Sequence, residues 1–192
     1  QESIESKKKW FPYQKGGEYR KWYGNLEYVI NWENAGNNML THINSNGVSD
    51  ARIRPSNFSY YLTNGITWSR IGSGHISLRY IPKGCFFDCN SPALFSSDYS
   101  LETIMALLNS KVSVPLLEFI APTLTFQIAD LKKIPLPDKE INDSLVQQNI
   151  SLSKSDWDSF ETSWDFAIHP MLSTKHELLE DAYASYKQIA NS

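Results

Sequence analysis

The chain has 192 residues, 41% of them hydrophobic, with 18 Lys and Arg against 21 Asp and Glu for a net charge of −3. That length and apolar content suit an ordinary globular chain of one domain, or one domain with an appendage, and the net acidity at first argues against nucleic acid. The apolar runs are short and interrupted and the acidic, serine-containing start is unlike a secretory signal, so the expectation is a cytoplasmic protein with no transmembrane span. The chain begins at Gln1 rather than methionine, as an excised piece of a longer protein would.

The average charge conceals an asymmetry. Residues 1–90 carry 11 Lys and Arg against 7 Asp and Glu, whereas residues 91–192 carry 7 against 14, and all five arginines lie in the first part. Arginine has the fork that suits phosphate oxygens and guanine edges, which points to residues 1–90 as the working half. On composition alone, ordinary scatter carries equal weight, because a strong footprint would be a domain with pI above ~9.

Taken in chain order, Tyr13 to Gly36 interleaves Lys15, Arg20 and Lys21 with Tyr13, Tyr19, Trp22, Tyr23 and Tyr28 around Gly16-Gly17. Glu18–Tyr23 and Leu26–Trp32 read as strands joined by a Gly24-Asn25 hairpin turn, with Leu26, Tyr28, Ile30 and Trp32 on one face. Lys15, Arg20 and Lys21 are candidate phosphate contacts, and Gly16 and Gly17 would let backbone amides approach a duplex; a turn with solvated charges is the bland reading. Strand alternation turns one of Trp22 and Tyr23 inward. A polar stretch from Glu33 to Asn57 holds a short helix around Asn37–Asn44. Further strands are read at Ser59–Leu62, Ile66–Ile71, Ile76–Ile81 and Cys85–Cys89, separated by turns. They carry a second candidate cluster: Trp68 and Arg70 on one face with Ser69 between them, Ser73 and His75 at the Gly72–Gly74 tip, and Arg79 on the next strand. Cys85 and Cys89 read as packed thiols and no metal site is expected, because His42, His75, His169 and His176 lack ligand spacing.

From Ser100 the period becomes helical, with Ser100 as N-cap and Leu101, Ile104, Met105, Leu107 and Leu108 as the apolar face; Pro115 opens or kinks a second helix. Pro122–Ala129 reads as extended, with Thr125 and Gln127 satisfying backbone groups where the segment rejoins the sheet rather than touching bases. Asp138 to about Ser153 reads as a surface connection. Two helices then follow, one capped at Ser155 or Asp156 with a Trp157, Phe160, Trp164, Ile168 stripe, the other started by a Thr174–Glu177 capping box with Leu178, Leu179, Ala182, Tyr183, Tyr186 and Ile189 on one face.

The aromatic segment at Tyr13–Gly36, GITWSRIGSGHISLRYIPKGCFFD, LLNSKVSVPLLEFIAPTLTFQIADLKKIPLP (Leu107 to Pro137) and DWDSFETSWDF, in that order, resemble the C-terminal region of PglX-type adenine-specific DNA methyltransferases of BREX phage-defence systems. The strand and helix signals together predict an α+β fold, a twisted mostly antiparallel sheet with flanking helices and a C-terminal helical segment, like a target-recognition domain. The resemblance implies a target-recognition domain over residues 1–137, with 138–192 connecting and packing on it or on an N-terminal methyltransferase domain. The parent would use S-adenosylmethionine to methylate adenine N6, and this piece would read double-stranded DNA, with no cofactor and no activity of its own. Consistent with that placement, the chain has no Asn-Pro-Pro-aromatic or Asp-Pro-Pro-aromatic tetrapeptide, Asn90-Ser91-Pro92-Ala93 being better read as a turn. Gly72-Ser73-Gly74 does not lead into a cofactor-binding helix. The candidate interface read from the residues is Lys15, Gly16, Gly17, Arg20, Lys21, Tyr23, Trp68, Arg70, Ser73, His75 and Arg79; base-reading positions vary within such families, so the resemblance does not assign them. Two other classes stay open: a nuclease using carboxylates among Asp88, Asp130, Asp156, Asp158 and Asp165, and a module that docks the methyltransferase onto other defence-system subunits.

Overall fold

A computed structural model describes residues 8–41, 57–71, 75–121, 125–138, 141, 143–173 and 175–190. Its centre is the strand Gly65–Trp68 (β3), of which every residue is buried because neighbours cover both faces and both edges. It pairs antiparallel with Leu78–Ile81 (β4) on one side and Ala93–Leu94 (β6) on the other. The buried Thr67 hydroxyl is satisfied by Ser91 Oγ at 2.6 Å and the Pro92 carbonyl at 2.9 Å. A second sheet has Trp10–Gln14 (β1) at its centre, antiparallel to Tyr28–Asn31 (β2) and parallel to Phe86–Phe87 (β5). The mixed α/β content expected from the sequence is present, but in two small sheets rather than one mostly antiparallel sheet.

The Gly24-Asn25 hairpin does not form. Trp22 adopts φ 71°, ending any extended run, and its backbone docks on β4 instead, donating to the Leu78 carbonyl (2.8 Å) and accepting from the Tyr80 N–H (2.7 Å). Residues 28–31 therefore pair with β1, and of the expected apolar face Leu26 and Trp32 are buried while Tyr28 is exposed. The short helix in the polar stretch is present as Asn37–Leu40 (α1). Ser59–Leu62 is not a strand but follows from a 3-10 turn at Phe58–Tyr60 that begins at Asn57 with φ 61°.

Leu101–Asn109 (α2) matches the helical period: the Ser100 hydroxyl accepts from the Thr103 N–H at 3.0 Å, and Ile104, Met105 and Leu108 are buried. Ser113–Ile120 (α3) holds Pro115 in its first turn, where a missing N–H costs nothing. After residues outside the description, Thr125 bridges Ile71 and Phe126 donates to the Arg70 carbonyl. The chain then turns into Ile128–Leu131 (α4) rather than staying extended to Ala129, with Asp130 accepting from the Gln127 N–H.

The connection expected up to Ser153 is instead the longest helix, Asp143–Trp157 (α5). Only Val146, Ile150 and Trp157 are buried along it, a stripe too sparse to stand out in a polar sequence. They join the core formed by Ile66, Trp68, Leu78 and Met105, and Ser153 Oγ donates to the Lys21 carbonyl. Because α5 ends at Trp157, the aromatic stripe is broken: Phe160 and Trp164 follow in turns and bends and Ile168 in irregular chain, and all three are exposed. The final helix is Leu179–Ala190 (α6), starting later than the capping box, whose Thr174 lies outside the described residues. Ala182 is buried, but Leu178, Leu179 and Tyr183 are exposed. Among the described residues no single helix is long and apolar enough to cross a membrane.

Cys85 is a packed thiol, whereas Cys89 is exposed. Burial pushes the Cys85 thiol from 9.0 up to about 12 and, as the leading cause, the Tyr23 phenol from 10.0 up to about 12. Both groups release their protons earlier in the unfolded chain, so unfolding is favoured as pH rises through the window from 9.0 to about 12. Melting temperature should be flat at neutral pH and fall above about pH 9, and Cys85→Ala should move the onset toward the tyrosine range.

Candidate nucleic-acid interface

The Lys15–Arg20 loop leaves β1 through two residues of positive φ, Gly16 (85°) and Gly17 (133°). At Gly17 a Cβ would come within 2.8 Å of Asn25 Nδ2, an atom that itself donates to the Glu18 carbonyl, so the loop closes on its own backbone only because this residue has no side chain. Gly16 packs beside the Asn90 carbonyl, which accepts from the Arg70 N–H at 3.0 Å. Ser69 Oγ donates to the Gly17 carbonyl at 2.7 Å. The expected glycine loop and the expected Arg70 thus meet along one edge, through Ser69, a member of the second candidate cluster, and Asn90, which the sequence shows only as part of a turn.

The three basic residues of this segment have different settings. Lys15 is exposed, its ammonium 5.2 Å from the centre of the Tyr28 ring, with no carboxylate partner among the described residues. Arg20 stacks on Trp157 at 5.2 Å and pairs with Asp156 at 2.7 Å. Gly24 makes room for that stack: its φ is 123°, and a Cβ would sit 2.4 Å from Arg20 Cδ and 3.0 Å from the Trp157 ring. Lys21 donates from Nζ to the Asn109 carbonyl, tying the loop to the end of α2. Arg20 and Lys21 therefore have structural partners that phosphates would have to replace.

Arg79 is fully buried, not a surface contact. Its Nη2 donates to Ser69 Oγ at 3.3 Å and its Nη1 to the Arg20 carbonyl at 3.5 Å, and no carboxylate faces it among the described residues. Burial, reinforced by nearby Arg20, lowers its pKa from 12.5 to about 10, leaving it charged at neutral pH beneath the loop. Tyr23 and Trp68 are also core residues, Trp68 donating from Nε1 to the Phe126 carbonyl at 2.9 Å. His75 is exposed and lies 3.4 Å from Glu118, and Ser73 lies outside the described residues. Lys15, Gly17 and Arg70 are what remains at the surface, with Gly16 buried behind them against the Asn90 carbonyl.

Arg70 also borders a cleft of about 1030 Å³ between the two sheets, walled by Tyr13, Tyr60, Tyr61, Phe87 and Phe95. Sequence reading treated Ser59–Leu62 and Cys85–Cys89 as strands and missed that their rings converge. The density of aromatic residues in FSYYL and CFF was the available signal. The carboxylates considered for metal-dependent cleavage are otherwise engaged: Asp156 with Arg20, Asp158 and Asp165 with Lys154, Asp130 with Lys133, and Asp88 accepting from the Asn90 and Ser91 amides.

The chain is a mixed α/β domain with exposed Lys15 and Arg70 along one edge, and sequence comparison narrows the class. The chain is homologous over most of its length to two adenine-specific methyltransferases. It is 41% identical over 174 residues to the adenine-specific methyltransferase PglX of Lacticaseibacillus casei (strain Zhang), covering 88% of this chain. It is 38% identical over 181 residues, 93% of the chain, to the adenine-specific methyltransferase BrxX of Escherichia coli O9:H4 (strain HS). It spans 14% of the length of each of these relatives. No family model matches the chain.

Proposed function

We propose that this chain is the DNA target-recognition part of an adenine-specific N6 DNA methyltransferase of a BREX-type phage-defence system, choosing where the parent enzyme acts without catalysing methyl transfer itself. The observation that carries this reading is the homology of nearly the whole chain to a 14% portion of two adenine-specific methyltransferases, in a sequence that holds no Asn-Pro-Pro-aromatic tetrapeptide. S-adenosylmethionine and the reacting adenine would belong to an N-terminal methyltransferase domain, and double-stranded DNA would lie along the Lys15–Gly17 and Arg70 edge. Lys15 supplies a charge with no carboxylate partner among the described residues, Arg70 a fork suited to phosphate or guanine, and the buried charge of Arg79 adds positive potential behind the loop.

Fluorescence anisotropy with duplex DNA across a salt series tests it. Lys15→Ala combined with Arg70→Ala removes two cations whose side chains are exposed, and should weaken binding about tenfold or more while flattening the logarithmic salt slope by roughly two. Unchanged affinity and slope would reject this edge as the DNA contact. A second reading, docking of the methyltransferase domain or another defence-system subunit, is favoured for the C-terminal part by exposed Trp164, Leu172, Leu178 and Leu179.

A further inference from the structure

We infer that the aromatic cleft between the two sheets receives a single unpaired nucleobase from bound nucleic acid, an inference that rests on the DNA-recognition reading and gives it a second contact. At about 1030 Å³ the cleft lies at the upper end of the ~300–1,000 Å³ typical of small-molecule sites, so it admits a nucleotide. Tyr60 stands at its mouth, half-exposed and stacked on Phe95 with ring centres 4.7 Å apart and planes 21° from parallel. Such a pair presents a flat, rigid face on which a base can continue the stack, in a sequence-tolerant interaction. A docking site for an aliphatic partner has no need of the polar groups that share the cleft. Arg70 and Lys132 are exposed cations at its border, placed to hold a backbone phosphate, and Gln127 is an exposed amide of the type that pairs with an adenine edge. The Arg70 backbone joins this cleft to the Gly16 loop through the Asn90 carbonyl, so DNA along the proposed edge runs directly past the opening.

The test uses the full chain with three probes: a fully paired duplex, the same duplex with one bulged 2-aminopurine, and adenosine monophosphate. The bulged duplex should bind about tenfold tighter than the paired one, and the 2-aminopurine emission should be quenched by stacking. Tyr60→Ala should abolish both the preference and the quenching, and Lys132→Ala should reduce affinity for the bulged duplex. Thermal melts of the variants check folding, Tyr60 and Lys132 being exposed. Equal affinity for the two duplexes with unchanged emission would overturn the inference while leaving DNA recognition standing. Should neither duplex bind, quenching of intrinsic fluorescence by adenosine monophosphate, lost in Tyr60→Ala, would keep the cleft as a nucleotide site although the DNA reading had failed. Absence of that quenching as well would overturn both.

Discussion

Trp68→Ala should destabilise the chain by about 3–5 kcal/mol, a large part of the whole stability of a domain, and leave much of the protein unfolded. The indole is fully buried at the centre of the β4-β3-β6 sheet, packed in the same cluster as Leu78, Met105 and Leu117. Truncation creates a cavity that close-packed neighbours fill only in part, and it strands the Phe126 carbonyl, which now accepts from Nε1 at 2.9 Å. Trp68→Phe separates the two effects: it keeps most of the apolar volume and should cost about 1–3 kcal/mol, mainly from the orphaned carbonyl. Urea denaturation followed by circular dichroism measures both. Were Trp68→Ala to fold with near-normal stability and lose only DNA binding, Trp68 would be a recognition residue after all, against its burial.

Asn109→Ala should cost about 1–3 kcal/mol, for a different reason. Asn109 ends α2 with its side chain buried, accepting from the Leu78 N–H at 2.9 Å and donating to the Leu78 carbonyl at 3.0 Å. That amide and the Trp22 backbone together stand in for a neighbouring strand at the edge of β4. Removing the amide leaves the buried Leu78 N–H without a partner, with the desolvation penalty that carries, while the Leu78 carbonyl keeps only the Trp22 N–H. Lys21 donates to the backbone carbonyl of the same residue, so the basic loop should loosen with it. Asn109→Asp retains the acceptor but not the donor, and its cost should fall with pH as the carboxyl protonates and regains a donor. Equal stability of Asn109→Ala and the parent chain in denaturant titrations would mean that water or a local shift satisfies Leu78.

Helices were legible where capping and apolar spacing agreed, as at Ser100 and Leu101–Asn109. The Asp143–Trp157 helix was hidden because its three buried positions lie among serines, glutamines and charges, and a tertiary contact rather than local pattern decides its place. The Gly24-Asn25 turn signal was real in type, since both residues have positive φ, but the backbone of Trp22 found a better partner in β4 than in residues 28–31. At the candidate interface, residue type alone could not separate Lys15 and Arg70, at the surface, from Arg79 and Trp68, in the core. Alternation placed Trp68 and Arg70 on one face, yet regular pairing of β3 ends at Trp68, and the backbone of Arg70 then binds Asn90 and Phe126 while its side chain reaches solvent. The aromatic cleft shows in the sequence only as the density of rings in FSYYL and CFF, because those segments are brought together only by the two sheets.

The central claim is that this chain sets which DNA sequence the parent enzyme methylates. The most direct measurement exchanges residues 1–192 for the homologous segment of a relative that modifies a different sequence, expresses the hybrid, and maps N6-methyladenine across the host genome by long-read sequencing. The account predicts that the methylated sequence follows the transplanted segment. An active hybrid that still methylates the sequence of its own remaining part would contradict it.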